Sequence, residues 1–131
     1  MLREMMRSKI HRATITECDV DYVGSITIDA DLLRAANIRP NEAVHVFDVD
    51  NGARLQTYVI RGEPGSGVIG INGAAARLVE TGHKVLIVTF GHLTEDELDS
   101  HVSTVVVVDE QNRIDKVLHY DSLIEEAASV P

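Results

Sequence analysis

The sequence predicts a mainly β domain with a few short helices, closed into a small barrel. Short runs of alternating apolar and polar residues recur along nearly the whole chain, the period of a half-buried strand. The helical segments between them are only one or two turns long. Turn residues punctuate the runs, and Asp50-Asn51-Gly52 is the strongest hairpin signal. Many short strands in so small a chain favour a closed barrel, because closure removes exposed edges. The pattern alone leaves the barrel type open.

Residues 7–16 alternate as a strand with Lys9, His11, Ala13 and Ile15 on one face. Residues 25–28 form a second, short strand. Asp29 can cap a helix through about residue 36, with Leu32, Leu33 and Ala36 as its apolar side. Asn37 and Pro40-Asn41 end it. Residues 44–49 and 55–60 are strands joined by Asp50-Asn51-Gly52, where Asn-Gly accepts positive φ at both positions. A glycine-rich loop at 62–67 leads into a strand at 68–71. Residues 74–79 read as a short helix, closed by Gly82. Residues 85–90, 102–108 and 113–119 are further strands, with a helical turn at 95–100. Val105-Val106-Val107-Val108 would aggregate if exposed, so burial in the barrel or an interface is expected. The tail from about residue 120 to 131 is expected to fray.

A length of 131 residues makes one domain over 1–131, with no room for a second independent core. No apolar run approaches the roughly 20 residues of a membrane span. Met1-Leu2-Arg3-Glu4-Met5-Met6 lacks the apolar stretch of a signal peptide, so a cytoplasmic protein without a membrane partner is expected. Cys18 is the sole cysteine, which excludes an internal disulfide and fits a reducing compartment. The formal charge of −9 argues against a nucleic-acid partner. The charge is uneven, however: Arg3, Arg7, Lys9 and Arg12 face only Glu4 in the first 12 residues. A locally positive site inside an acidic protein is therefore possible. His45, His83, His92, His101 and His119 have no metal-ligand spacing, and no metal site is expected.

Gly24-Ser25 carries the most specific chemical possibility. Glycine permits a strained turn, and the next residue's hydroxyl lies close to the glycine carbonyl. The serine oxygen can attack that carbonyl and convert the peptide into an ester. β-Elimination and loss of ammonia would then leave a pyruvoyl ketone, able to form a Schiff base with an amine substrate. A Gly-Ser pair alone is ordinary turn chemistry, and Gly65-Ser66 is a second one.

The surrounding motifs decide between these readings. Ser8-Lys9-Ile10-His11-Arg12-Ala13, Tyr22-Val23-Gly24-Ser25, Asn51-Gly52-Ala53-Arg54-Leu55-Gln56-Thr57-Tyr58 and Ile71-Asn72-Gly73-Ala74-Ala75-Ala76 occur in that order. Together they resemble aspartate 1-decarboxylase, the pyruvoyl-dependent family that makes β-alanine for pantothenate and coenzyme A. The resemblance runs from Met1 to about residue 90 and fades from Leu93. It implies a six-stranded double-psi β-barrel and a homotetramer with active sites between subunits. It also implies self-cleavage into chains 1–24 and 25–131, with the pyruvoyl cofactor made from Ser25 and L-aspartate as substrate.

The same resemblance implies the site residues. Ser25 supplies the pyruvoyl group and Gly24 the scissile carbonyl. Tyr58 is the proton donor, consistent with a phenol that is neutral at pH 7. Arg54 and Lys9 hold substrate carboxylate, a task that suits a planar guanidinium. Thr57 lies beside the scissile carbonyl, and Thr57, Gly73, Ala74 and Ala75 contact substrate. His11, Tyr22 and Asn72 support the site. Strict alternation nonetheless points Thr57 away from Tyr58, which a local twist or a site lining two subunits would reconcile. Asn72-Gly73-Ala74 can also be read as a helix opening whose free amides accept an anion, or simply as a capped helix. Phe47 stands where some relatives have tryptophan. The rival reading is a non-enzymatic double-psi barrel that recognises peptides or partner domains. Such a module would have no use for Gly24-Ser25, Arg54 and Tyr58 together.

Overall fold

The computed structural model describes residues 1–125 of the chain. The protein is mainly β, as expected. Its strands are β1 (Leu2–Thr14), β2 (Glu17–Asp19), β3 (Ser25–Asp29), β4 (Ala43–Asp48) and β5 (Arg54–Gly62). They continue with β6 (Ile69–Asn72), β7 (Lys84–Thr94), β8 (Val102–Val108) and β9 (Ile114–Asp121). Two short helices, α1 (Ala30–Ala36) and α2 (Glu95–Leu98), and a 3-10 turn at Gly73–Arg77 complete the described elements. The expectation of six strands thus meets nine in one hydrogen-bonded order, β2-β6-β3-β5-β4-β7-β1-β8-β9. The pairs β1–β8, β2–β6 and β3–β5 are parallel and the others antiparallel.

The core explains how the central strands are aimed. Ile26 on β3 lies between Ile71 on β6 and Val59 on β5, and all three are fully buried. Burying each such side chain stabilises the fold by about 1.5–3 kcal/mol. Because side chains alternate along a strand, this apolar row turns Ser25 and Thr27 to the other face of β3. Asp29 ends the strand and caps α1, accepting from the Asp31 amide at 2.8 Å. Its carboxylate also accepts from the Gly65 and Gly67 amides, so one side chain starts the helix and ties down the glycine-rich loop. Val105, Val106 and Val108 are buried and Val107 half-buried on β8, between β1 and β9, as the valine run requires.

Several boundaries and faces differ from expectation. Lys9 and His11 do not share a face with Ala13 and Ile15. A register shift between Ile10 and Ala13, with Arg12 at φ 63°, inserts an irregularity into β1. One extra residue exchanges the two faces, so Ile10 and then Ala13 and Ile15 enter the core while Lys9 and His11 stay half-buried. At the hairpin only Gly52 has positive φ; Asn51 does not. The Asp48 carboxylate accepts from the Asp50 and Asn51 amides and builds a longer turn instead. The expected helix at 74–79 is a 3-10 turn that begins one residue earlier and stops at Arg77. β2 was not anticipated, because its three residues lack an apolar alternation and form a strand only by pairing with β6. Of the expected frayed tail, Tyr120 and Asp121 belong to β9, and residues 126–131 lie outside the described residues.

Candidate active site

β3 and β6 together place Ser25. The antiparallel register sets Ser25 opposite Asn72, and the next pairs, Ile26–Ile71 and Ile28–Ile69, are locked by the core. Asn72 Nδ2 donates to Ser25 Oγ at 2.9 Å and to Thr27 Oγ1 at 3.1 Å. Ser25 Oγ donates in turn to the Val23 carbonyl at 3.2 Å. The serine is fully buried, whereas Tyr22, Val23 and Gly24 just before it are exposed. Burial therefore changes in a single step at the Gly24–Ser25 bond. Asn72 does not cap the following turn with its side chain; that amide is committed to β3. Thr27 was not anticipated here, although its place two residues after Ser25 puts it on the same face.

Glycine is demanded at Gly73 rather than at Gly24. Gly73 has φ +73°, and a Cβ there would lie 2.6 Å from Gly24 Cα and 2.8 Å from Gly24 N. A Cβ on Gly24 would meet nothing within 4 Å. The close approach of the two glycines is what seats the turn before Ser25 against β6. The 3-10 segment is only five residues long, so the helix-terminus reading of Asn72-Gly73-Ala74 loses its basis. Ala74 is exposed and Ala75 half-buried beside this turn.

β5 runs along the other side of β3. Its parallel register begins at the Ile26–Val59 pair, so Tyr58 and Thr57 just precede that pair on β5 as Ser25 and Gly24 precede it in the chain. Tyr58 is exposed, and Thr57 is half-buried on the opposite face. Alternation thus holds within the chain, and the two side chains lie on different faces of β5. Arg54, four residues from Tyr58, is exposed on Tyr58's face of β5. Its guanidinium lies 4.5 Å from the centroid of the Phe47 ring on β4. Phe47 therefore orients the arginine through a cation–π contact, a role the sequence alone did not reveal.

Within the chain, Lys9 and His11 do not line the cavity beside Asn72 and Ser25. Their strand β1 stands four places from β3 in the sheet order. They line a separate cavity of about 410 Å³. The cavity beside Asn72, of about 290 Å³, is lined by Glu17, Asp19, Tyr22 and Thr27 and carries no cation among the described residues. His11 is held below the usual histidine range, chiefly by burial and then by the positive charges of Lys9 and Arg12. Its Nδ1 is buried without a hydrogen-bond partner among the described residues.

Residues 1–115 match the family model for aspartate decarboxylase. The chain belongs to the aspartate decarboxylase family. Aspartate 1-decarboxylase from Bacillus cereus (strain B4264) is 54% identical over 118 residues, covering 90% of this chain and 93% of that protein. Those from Listeria monocytogenes and Listeria welshimeri are each 52% identical, with the same coverage of both chains. The match reaches well past residue 93, where the motif resemblance had faded. Aspartate decarboxylase likeness therefore extends through β8 and up to the start of β9.

A further cluster joins Asp48, Asp50 and His83, whose ligand-type atoms lie within 4.8 Å of one another. Asp48 Oδ2 contacts His83 Nδ1 at 2.7 Å, its Oδ1 takes two turn amides, and Asp50 Oδ2 takes the Lys84 amide. These bonds tie the β4–β5 turn to the start of β7. Contact with Asp48, aided by Asp50 and Glu80, raises the His83 pKa above its ordinary value. Among the described residues, no helix is long and apolar enough to cross a membrane.

Proposed function

We propose that this chain decarboxylates L-aspartate to β-alanine and CO2, serving pantothenate and coenzyme A biosynthesis, after cleaving itself between Gly24 and Ser25. One observation carries the reading: a fully buried serine hydroxyl, fixed between Asn72 Nδ2 and the Val23 carbonyl, directly after an exposed glycine. Membership of the aspartate decarboxylase family supports it.

In the first stage Ser25 Oγ attacks the Gly24 carbonyl carbon, and the amide bond gives way to an ester. β-Elimination frees the Gly24 carboxylate and leaves a dehydroalanine at position 25. One water then enters and one ammonia leaves, giving a pyruvoyl-capped chain 25–131. Asn72 holds the oxygen in place, and the Gly24–Gly73 contact holds the turn. Thr57, half-buried on the face of β5 opposite Tyr58, is suited to assist at the scissile carbonyl. The site residues fit such a group, since the Ser25 side chain is enclosed while the turn before it opens to solvent.

The pyruvoyl group supplies an electron sink for the amine-bound substrate, as organic cofactors do elsewhere. The chain's own residues do the rest. Arg54, pre-oriented by Phe47, pairs with the retained β-carboxylate and so determines which carboxylate departs. Tyr58, next to the Val59 that pairs with Ile26, gives the proton to the substrate carbon that loses CO2. Gly73, Ala74 and Ala75 offer small-residue backbone to the substrate, and Tyr22 borders the cavity.

The placement of Lys9 and His11 in a cavity other than the one beside Asn72 supports a homotetramer in which a neighbouring copy completes the site with these residues. The reading includes a double-psi barrel built from six of the nine strands, supported by the parallel pairs β1–β8, β2–β6 and β3–β5 in an otherwise antiparallel order. It also includes a cytoplasmic location, consistent with one free cysteine.

Intact mass spectrometry together with CO2 release from L-aspartate tests the proposal. Two fragments split after Gly24 are expected, the larger lighter by one ammonia than simple hydrolysis would leave it. A single uncleaved species after prolonged warm incubation, without CO2 release, would overturn it.

A further inference from the structure

The Lys9–His11 cavity includes residues from β9. Lys116 and Tyr120 complete its polar lining above an aliphatic floor that includes Val105 and Val107. The register explains the convergence: His11 pairs with Val107 and Val107 with Lys116, so the three form one cross-strand row. Lys9 pairs with Val105 one step along the same face. Two strand spacings and two residues separate the Lys9 and Lys116 backbones, about 12 Å, which two flexible four-carbon stems can bridge around a small anion. No carboxylate lines the cavity, although the chain carries a formal charge of −9. Among the described residues neither lysine has a carboxylate within ion-pair distance. His11, which lines the same cavity, has an Nδ1 that is buried without a hydrogen-bond partner among the described residues. Lys116 lies one residue past the part of the chain that the family model covers.

We propose that Lys116 is a substrate-binding residue, which with Lys9 draws the anionic dicarboxylate amino acid into the shared site. The inference rests on the decarboxylase reading and on Lys9 completing a neighbour's site. Lys116 is exposed at the cavity mouth, so its attraction acts on capture and is weakened by salt. It holds substrate and transition state alike, which places its effect in KM and not in kcat.

Steady-state decarboxylation of L-aspartate by the full cleaved protein tests this, comparing the parent with Lys116→Gln, Lys116→Glu and Lys116→Arg at low and high salt. Lys116→Gln is expected to raise KM by roughly two- to fivefold, the range of an exposed charge pair. Lys116→Glu should raise it further, and Lys116→Arg should stay near the parent. All should keep kcat within about twofold, and the rise of KM with salt should be shallower in Lys116→Gln than in the parent. The exposed edge position makes the glutamine and arginine variants the safe ones for folding. Equal KM in all four proteins, or a fall in kcat at unchanged KM, would overturn the assignment while leaving the decarboxylase reading intact. A parent protein that releases no CO2 would instead remove the reading on which it rests.

Discussion

Asn72 donates one amide proton to Ser25 and the other to Thr27, across the β3–β6 pairing. The serine oxygen is thereby fixed from one side while its own proton turns to the Val23 carbonyl. Asn72→Ala removes the donor without adding bulk. Self-cleavage should slow by roughly 10²-fold or more, as when a single oxyanion-type donor is removed. The time course of intact mass measures it, with Ser25→Ala as the variant that never cleaves. Asn72→Ala cleaving at the parent rate would place Asn72 outside the maturation chemistry.

Gly73→Ala should be more damaging than its size implies. The new methyl would press on the Gly24 backbone at 2.6 and 2.8 Å, and φ +73° adds backbone strain. A stability loss of about 1–3 kcal/mol is expected from the conformation alone, together with impaired cleavage. Gly24→Ala meets open space and should change stability far less. Thermal melts of both variants in a Ser25→Ala background separate stability from processing.

Arg54 acts through charge and shape together. Arg54→Ala should lower kcat/KM by an amount equivalent to about 3 kcal/mol, the cost of leaving a substrate carboxylate unpaired. Arg54→Lys should recover only part, because an ammonium lacks the fork geometry. Phe47→Leu should give a smaller loss in the same direction, since the guanidinium loses the ring at 4.5 Å. Equal kcat/KM across the series would remove Arg54 from the site.

Tyr58→Phe separates the two stages of chemistry. Phenylalanine keeps the ring and deletes only the proton donor, so cleavage should proceed. Turnover of the cleaved protein should drop by roughly 10²- to 10⁴-fold. Cleaved protein with parent-like β-alanine production would assign the proton to another group.

The Asp48–His83 contact predicts a pH dependence of stability. Its folded pKa is raised, so protonated His83 is favoured in the folded state. The stabilisation is complete below about 6.5, the unfolded value, and is lost as pH rises through the higher folded value. Denaturant titrations from pH 5 to 9 should show this decline, and Asp48→Asn should flatten it. A decline that persists unchanged in Asp48→Asn would assign it to other groups.

What the sequence determined by itself was local. The strand expected at residues 102–108 has the bounds of β8, and the Asp29 cap and Asn37 stop bound α1 as read. The four motifs, each a few contiguous residues, identified the family before any contact was known. Tertiary structure decided what depends on partners distant along the chain. β2 exists because β6 pairs with it, and Asn72 is turned from a cap into a serine ligand by a register linking residues 47 apart. The irregularity in β1 moved Lys9 and His11 off the core face, against simple alternation, because its neighbour strands impose the register on both sides. Periodicity records which face a residue prefers, since that preference is paid within one strand. Which strands meet, and in what register, is settled by the packing of the whole sheet, which no local stretch of the chain contains.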